Sequence, residues 1–315
     1  MKIYKTGIIG CGGIAQKMAA TLEKMKGVER YAVASRNQEK AEAFANKWGF
    51  TKAYGSYEEL ASDPEVDLIY IATPHAMHYD NAHMCIEKGK PVLCEKAFTA
   101  NARQAEDLLA FAKEKGVFIT EAIWTRYMPL SLKIQELLKE GVIGTPYTLS
   151  ANLSYPISNK ERIIRPELAG GALLDIGVYT LNFAALAFGS DIAETHSVCQ
   201  KTQTGVDAQE SITLFYKDGR MATLQSSIYA KSDRMGVISG DKGHLIVENI
   251  NCPESVRVVD ENYKTIAVYH APEQISGYEY QVYASIEAIE KGWLESPYMP
   301  HAETLRIICL LYTSP

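Results

Sequence analysis

The stretch Lys5-Thr-Gly-Ile-Ile-Gly10-Cys-Gly12-Gly13-Ile14-Ala15 decides the fold, because a short apolar strand runs straight into a helix through a glycine-rich turn. Gly10 permits the sharp turn, Gly12 lets the backbone approach a pyrophosphate, and Ala15 is small enough for the helix to pack close to the strand. The amides that open the helix, at Gly13 and Ile14, then face the phosphates. Glycine turns also join strands to helices where nothing binds, so the surroundings of the turn carry the argument.

Outward from the turn, apolar runs alternate with helix-period segments as far as Thr120. The spacing predicts strands over residues 5–10, 30–34, 68–73, 91–94 and 117–120, and helices over 40–48, 79–88 and 102–115 that end near Gly49, Gly89 and Gly116. That alternation is the mark of a parallel sheet with helices on both faces. After Trp124 the pattern changes to a helix over 130–140 and then to longer alternating strands, with a hairpin signal at Lys217-Asp218-Gly219-Arg220 and helices over 173–188 and 280–293. The expected fold class is α/β: an N-terminal doubly wound parallel sheet of Rossmann type over residues 1–121, and a C-terminal α+β domain on a largely antiparallel open sheet over 122–315.

Composition fits two globular domains, with 315 residues, 47% hydrophobic and 22% charged. A net charge of -6 with scattered basic residues excludes a nucleic-acid footprint. No apolar run is expected to span a membrane, and the amino terminus shows no signal-peptide pattern, so a cytoplasmic protein without membrane contact is expected. The six cysteines are widely spaced, which suggests reduced thiols and neither a disulfide framework nor a cysteine zinc site. His75, His78, His83 and Cys85 lack a second ligand pair at zinc spacing, and no metal is expected.

After the second strand, an acidic residue would bond the ribose hydroxyls of NAD. Here Ser35-Arg36-Asn37 follows, with no carboxylate before Glu39. Arg36 suits a 2'-phosphate and can lie on adenine, and Ser35 can donate to the phosphate, which favours NADP over NAD. The competing reading makes Ser35 the cap of the next helix and Arg36 a solvated charge.

Two strand ends are more specific: Ile71-Ala72-Thr73-Pro74-His75-Ala76-Met77-His78 and Val92-Leu93-Cys94-Glu95-Lys96-Ala97. With Glu121-Ala-Ile-Trp124-Thr-Arg126-Tyr and Gly170-Gly-Ala-Leu-Leu-Asp175-Ile-Gly177-Val-Tyr179, they resemble the glucose-fructose oxidoreductase / inositol dehydrogenase / rhizopine-catabolism family of NAD(P)-dependent oxidoreductases over nearly the whole chain. Within it, the last two strings are similar to the dimeric dihydrodiol dehydrogenase branch. The resemblance implies that Lys96 matches the lysine of the family's Glu-Lys-Pro motif, and that Asp175 and Tyr179 match its acidic and acid/base positions. It also implies that Thr73, Pro74 and His78 flank the nicotinamide and its ribose with Glu95 nearby, and that Trp124 and Arg126 lie beside the cofactor and the substrate entrance. Ala97 stands where the family usually has proline, a departure that bears on how rigidly the loop after Lys96 is held and leaves the amine itself in place. The resemblance implies, too, that the last helix usually continues beyond Cys309-Leu-Leu-Tyr-Thr-Ser-Pro315, an ending that reads as a truncation or a frame artefact.

The chemistry of such a trio is hydride exchange between a nicotinamide and a secondary hydroxyl or carbonyl. A phenol with a pKa of about 10 is ionised to roughly one part in a thousand at pH 7, a cost of about 4 kcal/mol. An ammonium at Lys96 would lower that cost for Tyr179, with Asp175 orienting the substrate or the lysine; alternatively Lys96 takes the proton and Tyr179 only donates a hydrogen bond. On a regular helix Asp175 and Tyr179, four apart, would share a face. Trp124 and Tyr155 could meet a sugar face or an arene; Arg162 and Arg165 could meet a polar substrate or the cofactor phosphate, or form surface salt bridges. A sugar, polyol or trans-dihydrodiol is the expected small-molecule substrate; a cofactor-binding regulator without turnover is the alternative. Relatives commonly dimerise through the second domain's sheet, and Ile212, Leu214, Met221, Thr223 and Gln225 are compatible with a semi-apolar face there without establishing one.

Overall fold

The computed structural model describes residues 2–313. The chain divides into two compact units, one holding the chain up to Trp124 together with Ile275–Ile308, the other holding Thr125–Gln274.

The first unit is built on a parallel sheet of β1 (Tyr4–Ile9), β2 (Val28–Ala34), β3 (Lys52–Tyr54), β4 (Leu68–Ile71), β5 (Val92–Glu95) and β6 (Ile119–Ala122), in the order β3-β2-β1-β4-β5-β6. Every residue of β4, β5 and β6 is buried, as expected of strands covered on both faces. The crossovers contain α1 (Gly13–Leu22), α2 (Gln38–Trp48), α3 (Tyr57–Ser62), α4 (His78–Glu87) and α5 (Ala102–Lys115). Local chemistry sets their ends. The Asn37 and Asn101 side chains accept from Lys40 N and Gln104 N, Ser56 and Glu59 form a capping box, and Gly49 and Gly116 end α2 and α5 at φ of 68° and 66°. Such a cap contributes about 1 kcal/mol. The sheet grows outward in opposite directions from β1 and β4, so the topological switch point lies between them.

The second unit carries an eight-stranded sheet: β7 (Pro146–Ser154), β8 (Ile192–Lys201), β9 (Asp207–Tyr216), β10 (Met221–Ser227), β11 (Gly236–Gly240), β12 (Gly243–Glu248), β13 (Ser255–Asp260) and β14 (Thr265–His270). Their order is β14-β13-β12-β11-β7-β10-β9-β8, antiparallel except for the β7–β10 pair. The expected hairpin joins β9 to β10, with Gly219 at φ 89°. Its helices are α6 (Pro129–Lys139), the short α7 (Glu161–Ile164) and α8 (Val178–Phe188), which packs on β7 and β10. The chain ends with α9 (Glu279–Glu290) and α10 (His301–Thr313); Ser314 and Pro315 lie outside the described residues.

Three expectations are corrected. The segment Leu173–Phe188 is not one α-helix, since Leu173–Gly177 is a π-helical turn that leads into α8. Nor do Ile212, Leu214, Met221, Thr223 and Gln225 share a face. Ile212 and Leu214 pair with Leu224 and Ala222 and are buried, while Phe215 and Thr213 pair with Met221 and Thr223 on the other face, where Phe215 and Val198 are exposed. The hairpin puts the apolar phase of β9 one residue out from that assumed, and a one-residue step reverses the face. Lastly, the 23-residue segment Pro166–Phe188 is apolar enough to span a membrane by length and composition, with a mean hydropathy of 1.5 over an 18-residue window. Some 78% of that window is buried within the protein, and the segment is broken into 3-10, π and α pieces, as an interior segment.

Candidate active site

The glycine turn follows β1 at the switch point. Gly10 has φ 103°, and a Cβ there would stand 2.9 Å from the Ala72 carbonyl oxygen, so both conformation and crowding demand glycine. Gly12 and Gly13 are different. Nothing stands within 4 Å of a Cβ on Gly13, and a Cβ on Gly12 would meet only Ala72 O at 4.0 Å. The protein's own packing does not require these two glycines; the open space they leave fits a pyrophosphate. No side chain caps the amino end of α1 and its first turn is free of acidic residues, so its amides are available to an anion. These features fit a dinucleotide.

At the end of β2, Ser35 is buried and Arg36 is exposed. The cap of α2 comes from Asn37, whose Oδ1 accepts Lys40 N at 2.8 Å, which removes capping as the reason for Ser35. Arg36 lies by Tyr57, a neighbour that the strand-end pattern did not reveal. Burial pushes the Tyr57 phenol up, against the pull of that guanidinium.

After β4, Pro74 opens a one-turn 3-10 helix at His75–Met77, and Thr73 Oγ1 accepts from Asn81 Nδ2 at 3.1 Å. His78 is 0% exposed, with Nδ1 2.8 Å from Ala97 O and Nε2 2.8 Å from Thr73 O. Burial pushes its pKa below the ordinary value, against the two carbonyls. This histidine, expected beside the nicotinamide, braces the backbone that follows β4 against the backbone that follows β5.

Lys96 follows β5 and is half-buried between buried neighbours. Glu95 receives the Tyr70 hydroxyl, and Lys96 N donates to Glu95 Oε2 at 3.2 Å. One residue past Ala97, Phe98 N donates to Glu121 Oε1 at 3.1 Å. Glu121 is 0% exposed, and burial, reinforced by the Glu95 charge, pushes its carboxyl up to about 8 against the bonds from Phe98 and Thr304 and the Lys96 charge. His78 and Glu121 thus hold Ala97–Phe98 from two sides, the support that the missing proline left to be found. Trp124 is 8% exposed and stacked on Tyr278, with centroids 4.2 Å apart at 6°.

In the second unit, both oxygens of the buried Asp175 face Arg162, with Nη1–Oδ1 2.9 Å and Nη2–Oδ2 3.4 Å. Arg165, expected with it at the substrate, is held on the surface by Glu161 and Glu167. Tyr179 is the second residue of α8 and is buried, two residues beyond the end of the π-helical turn. Tyr155 Oη stands 3.3 Å from Asn251 Oδ1, and Arg126 is buried in the 3-10 turn Trp124–Tyr127. Sequence reasoning missed Tyr57, Asn81 and Tyr278 as site neighbours, and treated Glu121 only as a letter of a motif. Its sole signal was a carboxylate in a fully buried strand.

The model of an oxidoreductase family with an NAD-binding Rossmann fold matches residues 4–122, and that of the GFO/IDH/MocA C-terminal domain matches residues 131–246. The chain belongs to the GFO/IDH/MocA family. As a GFO/IDH/MocA protein it is an NAD(P)-binding oxidoreductase. It is 35% identical to trans-1,2-dihydrobenzene-1,2-diol dehydrogenase of Xenopus tropicalis over 98% of this chain and 96% of that one. It is 34% identical to the Homo sapiens enzyme of the same name, over 95% and 92%. Among solved structures, the 3-ketoreductase KijD10 of Actinomadura kijaniata, crystallised with NADP and TDP-benzene, matches with a TM-score of 0.89 and 25% identity over 99% of this chain and 96% of that one.

Proposed function

We propose that this GFO/IDH/MocA protein is an NADP-preferring dehydrogenase that interconverts a secondary hydroxyl and a carbonyl on a trans-dihydrodiol, sugar or polyol, with Lys96, Asp175 and Tyr179 as its reaction residues. The observation that carries this reading is the anchoring of Lys96 at the carboxyl end of β5, in the same sheet whose switch point holds the open glycine turn. The relatives' names supply the substrate class: a dihydrodiol dehydrogenase and a ketoreductase both act at a carbinol or carbonyl carbon. For the cofactor, Gly10, Gly12, Gly13 and Ile14 would hold the pyrophosphate, Ser35 and Arg36 the 2'-phosphate, and Thr73, Pro74 and Glu95 the nicotinamide side.

When bound, the nicotinamide supplies the hydride acceptor or donor. The chain must then handle one proton at the substrate oxygen. Tyr179 Oη takes it in one assignment, with the Lys96 ammonium stabilising phenolate and alkoxide alike; in the other, Lys96 Nζ takes it and Tyr179 donates a hydrogen bond. Asp175, already gripped through both oxygens by Arg162, orients and does not transfer.

Reduced-cofactor absorbance should rise faster with NADP than with NAD on a panel that includes trans-1,2-dihydrobenzene-1,2-diol, sugars and polyols. Lys96→Met should keep NADP binding and lose turnover by about 10²–10⁴-fold. Unchanged turnover in that variant would sink the mechanism. The exposed sheet face with Val198 and Phe215 is further proposed to pair with a second copy. Val198→Asp with Phe215→Asp should halve the mass seen by light scattering, and an unaltered mass would remove that pairing.

A further inference from the structure

The string Gly170-Gly-Ala-Leu-Leu-Asp-Ile-Gly177 does more than place Asp175, because two of its glycines each back onto a carboxyl group of β9. Gly171, at φ 120°, leaves no room for a Cβ against Asp207 Oδ1; a Cβ on Gly177 would stand 2.6 Å from Glu210 Oε1. Asp207 Oδ2 accepts the Leu173 amide at 2.5 Å, at the first residue of the π-helical turn. Glu210 Oε1 receives the Ser226 hydroxyl from β10, and the Glu210 carboxyl is also bonded to that of Asp207. Glu210 is 7% exposed, and a π-helical turn gives up the regular i→i+4 ladder, so this turn depends on what lies beneath it.

We propose that Asp207 and Glu210 are positioning residues of the dehydrogenase reaction, forming a two-carboxyl seat that sets the π-helical turn bearing Asp175 and, through it, the direction in which Tyr179 leaves the start of α8. This inference rests on the proposed roles of Asp175 and Tyr179. Burial, with the Asp207 charge second, pushes the Glu210 carboxyl up to about 9, so at neutral pH it sits there uncharged and a neutral amide of the same shape can replace it. The seat also explains the glycines, since a methyl group at either would lift the turn off its acids.

The test compares Glu210→Gln, Glu210→Ala and Tyr179→Phe as full-length protein, with NADP and trans-1,2-dihydrobenzene-1,2-diol as the probe pair and hydrogen exchange read on residues 172–180. Glu210→Gln should stay within about threefold of the parent in kcat. Glu210→Ala should lose about tenfold or more in kcat with the NADP KM unchanged, and should exchange the amides of residues 172–180 faster. Equal kcat and exchange in Glu210→Ala and the parent would overturn the seat, as would a Glu210→Gln variant as impaired as Glu210→Ala. If Tyr179→Phe keeps full turnover, the proposed reaction residues fail and the seat's catalytic role goes with them. If Tyr179→Phe is inactive while Glu210→Ala is not, only the seat fails.

Discussion

At the residue scale, Glu121 carries the sharpest consequence. It lies in β6 opposite Cys94 of β5, accepts the Phe98 amide and is bonded by Thr304, so a carboxyl group stands where the strand pattern calls for an apolar side chain. Its pKa is raised in the folded protein to about 8, chiefly by burial, so the folded state holds a proton that the unfolded chain releases near 4.5. The sign follows from linkage: this group's stability contribution is fully present below about pH 4.5 and is lost as the pH rises through about 8. Glu121→Gln keeps an oxygen for the Phe98 amide and cannot ionise. Thermal midpoints of the parent should therefore fall relative to Glu121→Gln between pH 5 and 8, and parallel midpoints across that range would show that Glu121 is not protonated in the fold.

At the scale of elements, what could be read from the chain follows from how strongly one physical signal dominated. β4 and most of β5 are buried and show as apolar runs, and α2 and α5 end at left-handed glycines that the residue pattern displays directly; their asparagine caps were not read, since the pattern offers Ser35 as the cap of α2. β3 has three half-buried residues, β8 is a polar strand at the sheet's edge, and β11 lies between glycines, so none raises a periodic signal. The π-helical turn before α8 was hidden for the opposite reason. Leu173–Phe188 is nearly all buried, and a segment apolar on every side has no phase from which a change in residues per turn can be read. The residues proposed for the site divide in the same way: Gly10, Lys96, Asp175 and Tyr179 stand out in motifs, whereas the contacts of Arg162, Glu121, Asp207 and Glu210 reach across distances of sequence that no local pattern spans.

At the scale of the whole molecule, the residues proposed for the dinucleotide from Gly10 through Lys96 all belong to the first unit, so NADP should act on the stability of the protein through that unit. A ligand bound only by the folded state at about a hundred times its Kd adds about 2.7 kcal/mol, which for a unit of this size moves a thermal midpoint by about 5–10 °C. NADP at that excess should give such a rise, with a smaller one for NAD at equal concentration. Arg36→Ala removes a charge-assisted contact to the 2'-phosphate worth about 1.5–3 kcal/mol, and should weaken NADP binding by about 10- to 100-fold while leaving the NAD shift as it was. Arg36 is exposed and caps no helix, so the substitution leaves the fold itself nearly untouched and the difference between the two cofactors isolates the phosphate. Equal shifts for NADP and NAD, unaltered by Arg36→Ala, would mean that the loop after β2 reads only the adenosine that both cofactors share.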